Sequence, residues 1–465
     1  MTLDALGPID TGFLDVEDDV NQMHIGAVLI MEGPVPPVER LTEMVAGKLG
    51  AVPRYRQVVR RVAFDAARPV WVDDPDFDLD YHLRHVAVPA PGGETELRVL
   101  VADVMGRRLD QERPLWELWM VEGLEHDRWA VIAKVHHCLA DGVGGVELLG
   151  LILDAEPDAK PVPQSPWRPE PLPGRMDLLV RSLARTASSR GRFFGAARES
   201  LSRFDDFARS LPSLLRVVTP AAICSINGPI GQHRRWATAS MPISEIKAVR
   251  SGLGGSFNDV TLAAITRGFR GLLEKRGESL ERPLRTCVPV SVRARDERGV
   301  AVGDGTLSNK VAAVFVDLPI GISDPVGRLE AISAQMSSIK ESNQAQGAYG
   351  AVSLSKYVHP RLASAAMPLI SKLPQRNINT IATNIPGPQF PLYAAGRRML
   401  SAFPYVPIGM QVRIAVAILS YDGEVNFGIT GDFDHAPDVD VVAEGIKIGM
   451  DELLSAAGAP SHTYL

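Results

Sequence analysis

The stretch KVHHCLADG, Lys134 to Gly142, decides how the rest of the chain is interpreted. It begins within the apolar run RWAVIAKV (Arg128 to Val135), which has the composition of a buried strand. The run VGGVELLGLIL comes directly after it and is typical of a buried helix. The two histidines are therefore predicted at the end of a strand, before a loop that leads into a helix.

The two adjacent histidines allow more than one interpretation. Neighbouring residues of a strand point to opposite faces, so His136 and His137 do not chelate one metal ion from a regular strand. No second cluster of His, Cys or Glu at ligand spacing lies nearby. Either the pair is structural, or one histidine is a general base whose geometry Asp141 fixes from the following loop, while Gly142 lets the backbone turn sharply. A neutral imidazole suits removal of a proton from an alcohol that attacks an acyl carbonyl, which contributes about 10²–10⁴-fold in rate.

The sequence offers no protein nucleophile beside this base. There is no G-x-S-x-G elbow. Cys138 has no sequence neighbour that would activate a thiolate, so we interpret it as a small buried hydrophobic residue. A base without a protein nucleophile implies direct attack of one bound substrate on another. That chemistry indicates an acyltransferase rather than a hydrolase.

The composition is that of a soluble globular protein, with 45% hydrophobic and 22% charged residues. With 465 residues, the chain is too long for one ordinary core, so two domains are expected. A net charge of -6 and a pI near 6.0 argue against a nucleic-acid-binding protein.

The cysteines and the apolar runs bear on location. Only Cys138, Cys224 and Cys287 occur, none in CxxC spacing, which fits a reducing cytoplasm and excludes a disulfide framework. The acidic N-terminal stretch lacks the features of a secretory signal. Apolar runs such as IAVAIL (Ile414 to Leu419) are too short to span a bilayer. We expect a cytoplasmic protein whose contact with a membrane, if any, is peripheral.

Changes in amino-acid composition along the sequence divide the chain into three parts. Residues 1–157 alternate strand-like and helical patterns, for example a strand over His24 to Gly33 and a helix that stops at Gly50. Residues 158–225 hold a proline-dense crossover and a long helical stretch. Residues 226–465 resume the alternation and include a hairpin that turns at Asp422-Gly423. The pattern predicts two α/β halves joined by a crossover.

The long helical stretch after the crossover is rich in arginine. From Arg175 to Arg216 it carries nine arginines against four acidic residues. One interpretation is a helix that packs on the body with a solvated arginine face. The other is an interfacial helix that rests on anionic lipid or a lipid droplet.

The HHxxxDG pattern resembles the active-site signature of the CoA-dependent acyltransferase superfamily. This superfamily includes chloramphenicol acetyltransferase, peptide-synthetase condensation domains and the bacterial wax ester synthase/diacylglycerol acyltransferase family. Nearly the whole chain resembles the last of these, because further motifs of that family follow in order. These are RPLWELW (Arg113 to Trp119), NGPIGQHRR (Asn227 to Arg235), FNDVTLAA (Phe257 to Ala264), VPVSVR (Val288 to Arg293) and TNIPGP (Thr383 to Pro388).

The resemblance implies a role for each residue of the signature. His137 would be the base that deprotonates the acceptor hydroxyl, and His136 would support it. Asp141 would be structural and paired with an arginine across the site, for which Arg293 is the candidate. Gly142 would permit the turn. The oxyanion needs fixed donors as well, and these are not identified beyond Asn258.

The other motifs are expected to shape the site. Asn258 and Asp259 lie at a predicted helix start, where either is the expected N-cap. The resemblance places both near the active site, with Asn258 able to bond substrate or oxyanion; a simple helix cap is the alternative. Asn384 begins a predicted rigid turn at the interface. The residues expected to pack the core or line an acyl tunnel are Pro114, Leu115 and Trp116.

The fold implied is two chloramphenicol-acetyltransferase-like α/β halves with an active-site tunnel between them. The activity implied is transfer of a long-chain acyl group from CoA to diacylglycerol, without a covalent acyl-enzyme. Wax ester synthesis from long-chain alcohols and a non-catalytic lipid-binding or lipid-droplet protein are the alternatives. Acyl-CoA would be a co-substrate, and no resident cofactor or metal is expected. Peripheral association with the inner face of the membrane or with lipid droplets is also expected.

Overall fold

The structure is a computed structural model of the chain. It describes residues 4–139, 144–160, 162–164, 166–182, 184, 220–291, 311–341, 361–362, 364 and 377–459. Three residues of the predicted site, Asp141, Gly142 and Arg293, lie outside this part of the chain. Residues 185–219 of the arginine-rich stretch also lie outside it.

The described strands follow the alternation that the sequence predicts. They are β1 (Asp4–Ala5), β2 (His24–Glu32), β3 (Gln57–Arg60), β4 (Val70–Asp73), β5 (Leu83–Ala87), β6 (Trp116–Leu124), β7 (Arg128–His136), β8 (Arg234–Pro242), β9 (Leu284–Ser291), β10 (Val311–Leu318), β11 (Thr380–Ile385), β12 (Tyr393–Ala394), β13 (Arg397–Tyr405), β14 (Ile414–Tyr421) and β15 (Glu424–Asp432).

The described α-helices alternate with these strands. They are α1 (Pro8–Val16), α2 (Val38–Lys48), α3 (Leu79–His82), α4 (Glu94–Gly106), α5 (Gly144–Ile152), α6 (Ile243–Leu253), α7 (Phe257–Lys275), α8 (Pro325–Glu341) and α9 (Asp440–Ala456). Residues 175–182 are also helical.

Two six-stranded mixed sheets form the frame of the molecule. The first has the order β12-β13-β2-β7-β6-β5, and the second has the order β10-β9-β11-β14-β15-β8. A small sheet of three strands has the order β1-β4-β3. Most neighbours are antiparallel, whereas β5–β6, β9–β11 and β11–β14 are parallel. The predicted α/β class with two halves is confirmed.

Strand β7 is buried on both faces because helices cover both sides of the first sheet. Ala130 and Ile132 pack in a hydrophobic cluster with residues of α4. Val131 and Ala133 pack in a different cluster with residues of α2 and α5. The side-chain alternation of a strand then places His136 on the same face as Ala130 and Ile132.

The second sheet has a core of its own and a turn that the sequence predicts. Its large hydrophobic cluster includes residues of α6, α7, α8 and α9. β14 and β15 form a hairpin in which Tyr421 pairs with Glu424. The turn residues Asp422 and Gly423 have φ of 44° and 89°, as a type I′ turn requires. The predicted hairpin is confirmed.

The first sheet is completed by residues from late in the chain. β13 pairs with β2, and Tyr405 lies opposite Gly26. Strand composition does not reveal which partner a strand will choose, so the sequence did not indicate this exchange. The domain boundaries 1–157, 158–225 and 226–465 stay a prediction. In the structure, β12 and β13 belong to the first sheet although they lie within residues 226–465.

The two large sheets approach each other closely where β13 passes β15. A Cβ built on Gly428 of β15 would lie 1.8 Å from the carbonyl oxygen of Pro404 in β13. No side chain fits this space, because the obstructing atom belongs to a strand backbone. Glycine at this position therefore allows the two halves to pack together.

We expect Gly428→Ala to lower the free energy of unfolding by about 1–3 kcal/mol, since the new methyl group forces two sheets apart. Chemical denaturation followed by circular dichroism measures the change. Gly150→Ala is the matched control, because nothing lies within 4 Å of a Cβ built there and alanine suits the interior of α5. Equal stability of Gly428→Ala and the wild-type protein would contradict the close approach.

Candidate active site

The backbones of both histidines are fixed by the strands on either side of β7. The His136 N–H donates to the Leu115 carbonyl at 2.9 Å, and the His137 N–H donates to the Met23 carbonyl at 2.8 Å. Leu115 directly precedes β6 and Met23 directly precedes β2. The pair is thus anchored at one end of the first sheet, from both sides.

His136 is buried and its ring has a defined tautomer. The Cys138 N–H donates to Nδ1 at 3.1 Å, so a neutral ring carries its proton on Nε2. Nε2 lies 3.5 Å from Oε1 of Glu17, and both side chains are fully buried. A ring nitrogen that carries a proton toward a buried carboxylate is held in one orientation.

Glu17 connects the ring of one histidine to the backbone of the other. Burial raises its pKa, but hydrogen bonding and charge attraction from His136 and a hydrogen bond from Gln111 outweigh burial and lower the pKa to about 2. Gln111 Nε2 donates to Oε2 at 2.7 Å. The Met23 N–H donates to Oε1 at 3.3 Å, and the Met23 carbonyl accepts from His137. Glu17 is therefore an anion at neutral pH that holds both histidines.

The ring of His137 is enclosed except along one edge. It stacks on Phe13, with the ring centroids 4.0 Å apart and the planes at 21°. The side chain is partly exposed, and burial of the rest lowers its pKa to about 4. Nδ1 has no hydrogen-bond partner in the described part of the chain. The ring is therefore neutral at neutral pH.

Helix α1 supplies the contact to each histidine. Phe13 and Glu17 are four positions apart, so they lie on the same face of the helix end. Neither residue stands out in the sequence. An aromatic residue and an acidic residue at helical spacing indicate a functional pair only once α1 is known to face the end of β7.

Two further polar side chains lie buried on the α4 side of the first sheet. Lys134 Nζ donates to the carbonyl oxygens of Val104, at 2.9 Å, and of Arg107. His24, opposite His136 in β2, is hydrogen-bonded through Nε2 to the Met105 carbonyl. Burial lowers the pKa of Lys134 to about 8. These contacts satisfy the last carbonyls of α4 and attach that helix to the sheet behind His136.

Cys138 follows the two histidines, and its surroundings do not activate the thiol. Its side chain is buried, and burial raises the pKa of the thiol well above its usual range. The thiol is therefore protonated at neutral pH, and only thiolates are strong nucleophiles. The contribution of Cys138 to the site is the backbone N–H that fixes the His136 ring.

The residues of the RPLWELW motif pack in the core. Pro114, Leu115 and Trp116 are buried, the last two completely. Trp116 donates from Nε1 to the Tyr55 carbonyl at 2.8 Å and stacks on His82 with centroids 4.4 Å apart. Among the described residues, this motif touches the histidine pair only through the Leu115 carbonyl.

The FNDVTLAA motif begins α7, and the predicted helix cap is wrong in its position. Ser256 is the N-cap: its Oγ accepts from the Asp259 N–H at 3.2 Å, and Asp259 Oδ2 accepts from the Ser256 N–H at 2.8 Å. This capping box makes Asp259 a structural residue, and Ser333 donates to it at 3.1 Å. All three residue types cap well, so composition did not distinguish them. Asn258 takes no part in this cap.

Asn258 and Asn384 are brought together although they lie far apart in the sequence. Asn384 Nδ2 donates to Asn258 Oδ1 at 3.4 Å. The neighbour of Asn384 in β11, Ile385, pairs with Leu419 of β14, and Leu419 belongs to the same hydrophobic cluster as Cys138. The amide pair thus joins the start of α7 to the end of β11 within the second half. In the described part of the chain, no hydrogen bond joins it to a histidine.

The predicted roles of Asp141, Gly142 and Arg293 lie outside the described residues. Within the described ranges, no group of three or more His, Cys, Asp or Glu residues is placed to hold a metal ion. The described site therefore consists of His137 with Phe13, His136 with Glu17, and the amide pair.

Comparison with protein families matches both parts of the chain. Residues 6–261 match the wax ester synthase/diacylglycerol acyltransferase catalytic domain, and residues 307–454 match the corresponding C-terminal domain. The chain is 35% identical over 462 residues to a putative diacylglycerol O-acyltransferase of Mycobacterium bovis, with 97% of this chain and 96% of the relative covered. The same values hold for a probable diacylglycerol O-acyltransferase of Mycobacterium tuberculosis.

Solved structures agree with this assignment. The wax ester synthase/diacylglycerol acyltransferase from Marinobacter aquaeolei VT8 matches with a TM-score of 0.69 and 26% identity, covering 98% of this chain and 100% of that one. The first condensation domain of the CDA synthetase matches with a TM-score of 0.60 and 14% identity, covering 98% and 97%. At that identity the second match shows a shared fold alone.

We expect Glu17→Gln to destabilise the protein in a pH-dependent way. The pKa of Glu17 is about 2 in the fold and 4.5 in an unfolded chain, so its ionised form stabilises the fold above pH 4.5. At pH 7 the variant should lose about 1–3 kcal/mol in the free energy of unfolding. The difference from wild type should shrink as the pH falls from 4.5 to 2.

Urea unfolding at a series of pH values measures this difference. Glu112→Gln is the control, since the Glu112 side chain is 81% exposed and binds only Arg60 among the described residues. A Glu17→Gln protein as stable as wild type at pH 7 would show that the buried carboxylate does not hold the histidines.

Proposed function

This chain belongs to the wax ester synthase/diacylglycerol acyltransferase family, and we propose that it transfers a long-chain acyl group from acyl-CoA to diacylglycerol. The products are triacylglycerol and free CoA. The observation that carries the proposal is His137, a neutral, partly accessible imidazole held rigidly at the junction of the two halves. Such a group removes a proton from an alcohol at neutral pH.

The reaction needs no covalent acyl-enzyme. The hydroxyl oxygen of diacylglycerol attacks the thioester carbonyl while His137 takes the hydroxyl proton. The C–S bond then breaks, and the proton passes to the departing CoA thiolate. The protonated thiol of Cys138 supports this direct route, because the adjacent cysteine is not available as an acyl acceptor.

The remaining site residues would position the base and meet the developing charge. His136 and Glu17 would fix the backbone and ring of the pair, as their contacts with Met23 and with each other suggest. The amide of Asn258, with Asn384 beside it, would donate to the substrate or to the oxyanion. From the resemblance alone, Asp141 would pair with Arg293 across the site and Gly142 would permit the turn.

The names of the relatives differ in the acyl acceptor that they indicate. The mycobacterial relatives are named for diacylglycerol, whereas the Marinobacter relative is named for wax esters and diacylglycerol together. A long-chain alcohol is therefore the second candidate acceptor. Acyl-CoA would be a co-substrate, with no resident cofactor required by the reaction.

A lipid acceptor also has a consequence for the location of the protein in the cell. No helix in the described ranges has the length and apolar character needed to cross a membrane. We propose peripheral association with the inner face of the membrane or with lipid droplets, where the acceptor is concentrated. The arginine-rich stretch from Arg175 onward is one feature that favours this association.

We expect His137→Ala to lower kcat by about 10²–10⁴-fold, because the general base is removed. Release of free CoA from a long-chain acyl-CoA is followed with diacylglycerol, with a long-chain alcohol and without acceptor. His126→Ala is the matched control, since the His126 side chain is 67% exposed on a turn. Wild-type levels of CoA release in His137→Ala would contradict the base role. Release that no acceptor stimulates would contradict transfer and indicate a thioesterase.

The pH dependence of the reaction gives an independent test. Burial lowers the pKa of His137 to about 4, so the base stays neutral and active down to that pH. The acid limb of kcat/KM, which reports the free enzyme, should therefore fall near pH 4 rather than near pH 6.5. An acid limb near pH 6.5 in a protein that is still folded at pH 4 would contradict the neutral, enclosed imidazole.

A further inference from the structure

The turn between β3 and β4 projects an aromatic ring into solvent. Phe64 is 79% exposed. Its backbone is left-handed, with φ 59° and ψ 21°, and Asp65 follows with φ 48°. Left-handed conformations are strained for bulky residues, so a strained exposed aromatic is a feature that requires an explanation.

A second exposed apolar side chain adjoins this turn. Arg361 Nε donates to the Phe64 carbonyl at 2.6 Å, and the next residue, Leu362, is 68% exposed. Ser364 of the same segment donates to Asp15 Oδ2 at 2.9 Å. This segment is thereby attached to α1, the helix that contacts both histidines.

A third apolar feature lies on the small three-stranded sheet that carries the turn. In the helical residues 175–182, Leu178 packs against valines of β3 and β4. Met176 and Val180 are 70% and 60% exposed. They are four positions apart, so they form an exposed apolar pair on one face of the helix.

Positive charge surrounds these exposed side chains. The turn 61–68, the helical residues 175–182 and residues 361, 362 and 364 together hold five arginines and two aspartates. Two of the arginines are paired, Arg61 with Asp15 of α1 and Arg181 with Asp177, so the arginines still exceed these three aspartates by two. Apolar side chains rimmed by an excess of arginine are what a protein needs to rest on anionic lipid.

We propose that Phe64, Leu362, Met176 and Val180 form a lipid-docking surface that enters an anionic phospholipid layer. The proposal rests on the proposed function, because the acceptor is a lipid that must be drawn from such a layer. α1 links the surface to the site: Asp15 faces the turn and the 361–364 segment, and Phe13 and Glu17 face the histidines. The docked layer would lie across α1 from His137.

Vesicle co-sedimentation at low salt tests the surface directly. Vesicles that contain phosphatidylglycerol should bind the wild-type protein, and vesicles of phosphatidylcholine alone should bind it more weakly. Phe64→Gly should weaken binding about tenfold, because the variant lacks the aromatic ring that would be buried in the lipid layer. Glycine accepts the left-handed backbone, so the variant should fold at least as well as wild type. Ile223→Gly is the control, with its side chain 85% exposed in the other half.

A double substitution on the helix tests the same surface without changing the turn. Met176→Glu with Val180→Glu places two negative charges on it and should weaken binding more than Phe64→Gly does. Val99→Glu, at a 66% exposed position of α4, is its control. Binding of either surface variant as tight as wild type, or no binding of wild type to anionic vesicles, would overturn the proposal.

Turnover separates this proposal from the proposed function. Phe64→Gly should lose activity on diacylglycerol in vesicles while it keeps wild-type activity on a water-miscible short-chain alcohol. Equal losses on both acceptors would overturn the docking role. Absence of turnover by the wild-type protein on every acceptor would refute the proposed function, and the vesicle-binding comparison would still decide the surface.

Discussion

The contact between the Glu17 carboxylate and the His136 ring is the interaction on which the site depends. Both side chains are fully buried, with Nε2 3.5 Å from Oε1, so each polar group compensates part of the water that the other loses. The same carboxylate accepts from Met23, whose carbonyl holds the backbone of His137. One buried anion thus fixes the ring of one histidine and the peptide of the next, and Phe13 fixes the remaining ring. In the proposed mechanism, His136 is a positioning residue and His137 is the base that meets the substrate.

The junction of the two sheets explains why a site can exist at this place. β13 leaves the second half and pairs with β2 of the first sheet, and it passes β15 at Gly428 with no room for a side chain. His137 follows β7 of the first sheet, whereas Asn384 lies in β11 of the second. In the proposed mechanism, the base and the amide donors therefore come from different halves.

Local sequence patterns predicted many of the strands and helices. Contacts between residues far apart in the sequence could not be predicted in the same way. The apolar run before His136 indicated a strand that ends at the histidines, and the alternation of patterns indicated an α/β fold. Glu17 was missed because its partner, His136, lies far along the chain. The sequence alone does not show that an acidic residue is buried. Ser256 was missed as a helix cap because Asn258 and Asp259 cap equally well by type. The partner of β13 was missed because composition does not specify pairing.

The protonation of His137 tests the central claim most directly, because the account requires a base that is neutral throughout the physiological range. We would follow the histidine ring nitrogens by NMR in selectively labelled protein and assign His137 by its absence in His137→Ala. The account predicts a resonance that titrates near pH 4, as burial of the ring requires. A His137 resonance that titrates at pH 6.5 or above in the folded protein would contradict it, since the ring would then be hydrated and not held against Phe13.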